Sequence, residues 1–184
     1  MSKVKIAVIV GSLRRESFSR KLAQALVKEA PDTLEFTFVN LFNLEVYNQD
    51  LDDDGQPPAT WAAFRETMKA AQGVLFVTPE YNRSIPSLVK NAIDIGSRPY
   101  GKSVWDKKPA AVVSQSPGAI GGFGANHHLR QCLVFLNMPV LQQPEAYLGN
   151  IASFLGEDGL VPEQKNRDFL KAIMGAYGQW VAKN

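Results

Sequence analysis

Along this chain apolar, β-rich runs alternate with stretches of helical spacing, and that alternation constrains the fold more than any other feature. Lys3–Val10, Leu34–Val39, Gly73–Val77, Pro109–Ser114 and the short Pro139–Leu141 read as strands. Helices are expected over Ser19–Ala30, Thr60–Gln72, Ile85–Ile95, Ala125–Leu136 and Pro162–Ala182. The strands are near-continuous apolar runs, as strands covered on both faces are. In the second helix Trp61, Phe64, Met68 and Ala71 recur at helical spacing and read as core. Ser84 is expected to cap the third helix, with Pro86 in its first turn. Five strands alternating with helices make a parallel sheet with helices on both faces. The length, 184 residues, suits one domain over 1–184.

Right-handed crossovers leave few strand orders, and the flavodoxin-like 2-1-3-4-5 is the simplest. Ligands of such sheets bind beyond the carboxyl ends of the strands, beside the switch point. The loops after the first, third and fourth strands should therefore share one crevice.

The first of these loops runs Gly11-Ser12-Leu13-Arg14-Arg15-Glu16-Ser17-Phe18-Ser19-Arg20 and opens a helix. A helix N-terminus carries unpaired N–H groups and partial positive charge, so it favours an anion. Ser12, Ser17 and Ser19 add neutral donors; Arg14, Arg15 or Arg20 could add charge-assisted bonds. An ordinary polar turn with capping serines would look the same. The loop lacks the second Gly and the Lys of a Walker A sequence, and it has only Gly11 where the dinucleotide fingerprint wants three glycines. A monophosphate fits better, and flavin mononucleotide (FMN) is the usual ligand of that kind in doubly wound sheets.

The second loop, Thr78-Pro79-Glu80-Tyr81-Asn82-Arg83-Ser84-Ile85-Pro86, offers a ring for stacking and donors at a helix start. The third, Ser114-Gln115-Ser116-Pro117-Gly118-Ala119-Ile120-Gly121-Gly122-Phe123-Gly124, has glycines that would allow close backbone approach to a ligand. Each loop also has a plain reading, as a capped turn and a flexible surface loop.

The formal net charge of +2 and scattered Lys and Arg give no reason to expect nucleic acid. The single Cys132 allows no intrachain disulfide and no Cys-based metal cluster within one chain, and reads as a small core residue. His127 and His128 are adjacent, so on a helix they point about 100° apart and make no two-His metal face. Asp50-Leu51-Asp52-Asp53-Asp54-Gly55 imitates a calcium loop, but Trp61 stands at its twelfth position and Pro57-Pro58 break the frame, so a solvated acidic turn is expected. No basic-then-apolar signal segment is seen and no apolar run reaches the roughly 20 residues of a membrane span, so the expectation is a soluble cytoplasmic protein with no membrane partner.

The three loops together resemble the NADPH-dependent FMN reductase family, and its quinone and chromate reductase branch in particular. The resemblance rests on Gly11-Ser12-Leu13-Arg14 with Ser17-Phe18-Ser19, on Pro79-Glu80-Tyr81-Asn82 with Ser84 and Pro86, on Lys90-Asn91-Ala92 with Asp94, and on Ser116, Gly118, Gly121 and Gly122. It implies a flavodoxin-like fold, non-covalent FMN, NADPH or NADH as hydride donor, and a quinone, free flavin or metal oxyanion such as chromate as small-molecule acceptor, reduced in a ping-pong cycle. It implies that Ser12, Arg14, Ser17, Phe18 and Ser19 hold the phosphate, that Pro79, Glu80, Tyr81, Asn82 and Ser84 line the isoalloxazine or ribityl region, and that Ser116, Gly118, Gly121 and Gly122 close the other side. Arg83 departs from the Gly or aromatic residue of many relatives and reads as a candidate for the NADPH phosphate. Ser19 stands where many relatives have Asn. The resemblance further implies a homodimer or homotetramer, with Arg130 and Glu145 near subunit contacts, and no residue acting as nucleophile. A flavodoxin-type electron carrier and a cofactor-free regulatory domain are the rival readings on the same fold. A carrier tends to be strongly acidic, which this chain is not.

Overall fold

A computed structural model describes residues 2–156 and 159–184. The chain runs β1 (Val4–Val10), α1 (Phe18–Lys28), β2 (Leu34–Phe38), α2 (Gln49–Asp53), α3 (Ala59–Ala70), β3 (Gly73–Pro79), α4 (Ser87–Gly96), β4 (Ala110–Gln115), α5 (Phe123–Phe135), β5 (Ala146–Leu148), α6 (Ile151–Phe154) and α7 (Gln164–Lys183). All strands are parallel, in the order β2-β1-β3-β4-β5. The expected flavodoxin-like α/β fold is thus present.

Strand alternation divides the core in two. Ile6, Val8, Val10, Val77 and Val113 face α1 and α7, where Leu22, Leu26, Leu170 and Ile173 meet them. Ala7, Ile9, Phe76 and Val112 face α3, α4 and α5, packing with Trp61, Phe64, Ile93 and Leu129. Trp61 and Trp105 are fully buried there. Trp61 and Phe64 are core, as their spacing indicated. Cys132 is half-buried on α5, and burial pushes its thiol pKa up, which favours the protonated form. No helix of the described residues is long and apolar enough to cross a membrane.

Three expectations change. The fifth strand is Ala146–Leu148, not Pro139–Leu141. The earlier segment does reach β4: Ala110 N donates to Pro139 O at 2.9 Å and Leu141 N to Ala110 O at 2.8 Å. Val140 makes only a single bridge, and pairing resumes at Ala146 against Val113. Pro144, which has no N–H to give, lies in the interruption. Second, α4 begins at Ser87 behind Pro86, with no side-chain cap; Ser84 belongs to the preceding turn. Third, the acidic segment is a short helix, not a turn, and though Asp50, Asp53 and Asp54 are solvated as expected, Asp52 is not. Asn48 caps the short α2, and Asp52 inside it is paired with Arg65 at 2.7 Å, the two side chains only 3% and 9% exposed.

Candidate functional site

At the carboxyl ends of β1, β3 and β4 the three loops converge on a crevice of about 270 Å³. Ser12, Arg14, Ser17 and Phe18 form one wall, Pro79, Glu80 and Tyr81 the second, and Gln115, Ser116 and Pro117 the third. A larger hollow of about 410 Å³ lies between α1 and the segment before α7, away from the strand ends. Position at the switch point and convergent donors favour the smaller one.

The first wall is a helix start. Ser17 is the N-cap of α1, and its Oγ accepts from Arg20 N at 3.2 Å. That leaves its hydroxyl proton free to be donated, while the N–H groups of Phe18 and Ser19 have no acceptor within the helix. Of the three candidate arginines, Arg14 lines the crevice and forms no ion pair among the described residues. Arg20 lies instead over the Phe38 ring, 5.8 Å from its centre. Ser19 is placed differently from the expectation. Its side chain is fully buried and its Oγ accepts from Gln115 Nε2 at 2.9 Å, so its backbone N–H is what it can offer a phosphate.

The second wall is a tight hairpin. Tyr81 and Ser84 exchange both backbone hydrogen bonds at 2.9 Å, and Asn82 and Arg83 between them have φ of 50° and 64°. Two central residues at positive φ make a type I′ turn, which prefers Asn followed by Gly. Asn82 suits its place; Arg83 does not, because a Cβ in the left-handed region costs about 1–2 kcal/mol. The Arg83 guanidinium reaches Glu80 at 3.3 Å but is 75% exposed, so the pair offsets little. Arg83→Gly is expected to raise Tm by about 2 °C in a thermal melt, since part of the relieved strain is offset by greater freedom of the unfolded chain. A lower Tm in that variant would mean that the side chain's contacts outweigh the strain.

Glu80 links the second wall to the third. Its Oε2 accepts from Ala125 N at 3.0 Å, in the first turn of α5. That helix has Gly122 as N-cap, with no side chain to accept from the first turn, so a carboxylate from another loop satisfies the terminus and complements its dipole. His128 Nδ1 lies 2.9 Å from Ser84 Oγ, while His127 Nε2 meets Tyr147 Oη at 2.9 Å. The two imidazoles thus bind different elements, β5 and the hairpin, and no group of three or more potential metal ligands occurs among the described residues. Burial, with Glu145 beside it, pushes the Tyr147 hydroxyl up to about 12. Arg130 donates to Asn126 Oδ1 and Leu141 O, both at 2.8 Å, within its own chain.

In the third wall the glycines divide. Gly121 and Gly122 have φ of 66° and 75°, and a Cβ on Gly121 would lie 2.5 Å from the Tyr147 carbonyl carbon. Packing on β5 therefore accounts for Gly121 without a ligand. A Cβ on Gly118 would meet only Ser116 Oγ, at an ordinary 3.9 Å, and the Gly118 carbonyl accepts from that hydroxyl at 2.9 Å. Neither Gly118, Gly121, Gly122, Asn82, Arg83, Ser84 nor the Ser19 side chain lines the crevice itself.

Gln115 and Pro117, members of the third loop that carry no recognisable binding signal of their own, do line it. Strand alternation was the available signal for Gln115: as the last residue of β4, two beyond Val113, it faces α1. Its Oε1 is buried without a hydrogen-bond partner.

Residues 4–153 match the family described as NADPH-dependent FMN reductase. The chain belongs to that family. It is 54% identical over 185 residues to a quinone reductase of Pseudomonas putida, covering 100% of this chain and 98% of the relative. It is 44% identical to a 2-hydroxy-1,4-benzoquinone reductase of Burkholderia, over 97% and 96% of the two chains. The solved structure of FerB, a flavoenzyme NAD(P)H:(acceptor) oxidoreductase from Paracoccus denitrificans, superposes with a TM-score of 0.91 at 39% identity, covering 98% of each chain.

The crevice fits FMN, the family's flavin. It presents unpaired N–H groups, the Ser12 and Ser17 hydroxyls and an uncommitted guanidinium for a terminal phosphate, with the Tyr81 ring on the opposite wall.

Proposed function

We propose that the chain is an NAD(P)H-dependent quinone reductase that works through non-covalently bound FMN. The observation that carries this reading is the full-length likeness to two reductases named for quinones, laid over a crevice built for a monophosphate. FMN, when bound, would supply the redox chemistry by taking hydride from NAD(P)H and passing electrons to the acceptor. The protein's part is to bind and orient. Ser12, Arg14, Ser17 and the first N–H groups of α1 hold the phosphate; Pro79, Glu80 and Tyr81 shape the other end. Asn82 and Ser84 set the hairpin that carries Tyr81, while Ser116 and Pro117 close the third side. No side chain is required as a nucleophile. Donor and acceptor use one site in turn, so initial-rate plots at several quinone concentrations should be parallel. Intersecting plots would refute the shared site. The flavin released on denaturation should run as FMN, not FAD, because a site closed around a terminal phosphate leaves no room for an adenylate. Chromate or free flavin reduced with a higher kcat/KM than benzoquinones would reassign the acceptor.

Arg83 stands beside the crevice as an exposed cation, and we place it as a contact for the extra phosphate of NADPH. Arg83→Gly should then raise KM for NADPH more than for NADH, with the difference shrinking at high salt.

The assembly follows from what the crevice leaves uncovered. At about 270 Å³ it falls just below the roughly 300–1,000 Å³ of pockets that bury a whole ligand. Leu13, Tyr81 and Ile120, one from each loop, are more than half exposed. A second copy of the chain would cover them, as a homodimer or a dimer of dimers. Light scattering should show this state for the FMN-bound protein; an active monomer at every working concentration would exclude it.

A further inference from the structure

Gln115 and Ser19 form a buried polar pair between β4 and the first turn of α1. Gln115 is 4% exposed, Ser19 fully buried, and Gln115 Nε2 donates to Ser19 Oγ at 2.9 Å. The other amide atom, Oε1, is buried and has no partner. The apolar core on this side of the sheet includes Val10, Leu22, Ala23 and Val113. Two apolar residues of similar shape would leave no acceptor unpaired and would serve the fold as well or better. Stability therefore does not account for the pair.

What the pair supplies is direction. Apolar contact is non-directional, whereas a hydrogen bond fixes distance and angle between its partners. Here it fixes the first turn of α1 relative to the end of β4. Ser17 and Phe18, immediately before Ser19, form one wall of the crevice, and Ser116, immediately after Gln115, belongs to another. We propose that Gln115 and Ser19 are a positioning pair that holds the phosphate-binding turn in register with the β4 loop. This rests on the FMN reading of the crevice. Neither side chain needs to touch the flavin; the pair acts through the N–H groups of Phe18 and Ser19 and the hydroxyl of Ser17.

The test is the double variant Gln115→Leu/Ser19→Ala, which removes both partners at once and so leaves no buried group unpaired. Apoprotein is titrated with FMN and with riboflavin, which lacks the phosphate, following flavin fluorescence, and its Tm is measured separately. The expected result is an apoprotein Tm equal to or above the parent's, an FMN Kd raised about tenfold, and a riboflavin Kd moved by less than about twofold. The preference for FMN over riboflavin thus falls about tenfold. Ser19→Ala alone should lower the same ratio. A double variant that keeps the parent's ratio, or that is less stable than the parent, overturns the positioning role. A parent that binds no FMN overturns the FMN reading and this proposal together, whereas a tight-binding parent with an unchanged ratio in the variant overturns this proposal alone.

Discussion

Replacing Arg65 with methionine is expected to lower the stability of the folded chain by about 3–5 kcal/mol, because it leaves the Asp52 carboxylate buried without its partner. For a chain of this size that is a Tm loss of roughly 10 °C. Arg65 gives Nη1 and Nη2 to the two oxygens of Asp52 at 2.8 and 2.7 Å, and Nε to Ile95 O at 3.0 Å. It therefore ties α2, α3 and the end of α4 together with one planar group, which a lysine could not reproduce. The hydrogen bonds from Arg65 hold the Asp52 carboxyl below its ordinary value. A carboxylate depressed in this way contributes fully above its unfolded pKa, about 3.9, and loses the contribution as pH falls through the lower folded value. In the methionine variant the stranded carboxyl can instead take up a proton. The gap between parent and variant should therefore narrow from pH 7 to pH 4 in urea unfolding curves. A gap that stays constant or widens on acidification would show that the lost packing over Trp61, whose ring lies 5.7 Å from the guanidinium carbon, matters more than the charge.

Arg14→Ala should weaken FMN binding by about one to two decades, the equivalent of a charge-assisted contact of roughly 1.5–3 kcal/mol. Apoprotein stability should stay within about 0.5 kcal/mol of the parent's, as expected for an exposed loop residue. Riboflavin affinity should not change. The parent's FMN Kd should rise with salt more steeply than the variant's, since the variant has lost an exposed charge that salt screens. If Arg14→Ala binds FMN as tightly as the parent, the guanidinium points away from the phosphate, and Arg15 becomes the remaining candidate because Arg20 is engaged with Phe38.

The parts of this molecule legible in the sequence were those set by local chemistry. Apolar runs bounded by turn residues located four of the strands, and the polar loop before Leu22 placed the start of α1 at Ser19, one residue after its observed start at Phe18. The fifth strand was misplaced because Pro139–Leu141 and Ala146–Leu148 are both short and apolar; only contact with β4 shows where the full ladder forms. The acidic run misled for a similar reason. Asp52 is charged, and nothing local reveals that Arg65, thirteen residues on, buries with it. Asn91 shows the same limit at the site. Its place in the family pattern drew attention, but its job is structural: Oδ1 accepts from Tyr47 N at 2.9 Å and Nδ2 donates to Glu45 O at 3.0 Å, tying the segment after β2 to α4. Arg83 was visible as a departure, and the reason it is strained became visible only with its backbone angles. Gln115 stands in the third loop with no role legible in the sequence, because a lone glutamine at a strand end carries no signal until the helix above it is in place.

The carboxylate of Glu80 at the start of α5 has a consequence for re-engineering this enzyme. Gly124 sits so close to the Arg83 carbonyl that an added Cβ would approach it to 2.7 Å, and His128 bonds back to Ser84. The hairpin and the helix start are therefore a single exchangeable cassette. A chimera that imports residues 80–86 from a relative to alter acceptor choice must import residues 121–128 with them. Otherwise the recipient helix loses its borrowed cap and the donor hairpin has no bed to lie on.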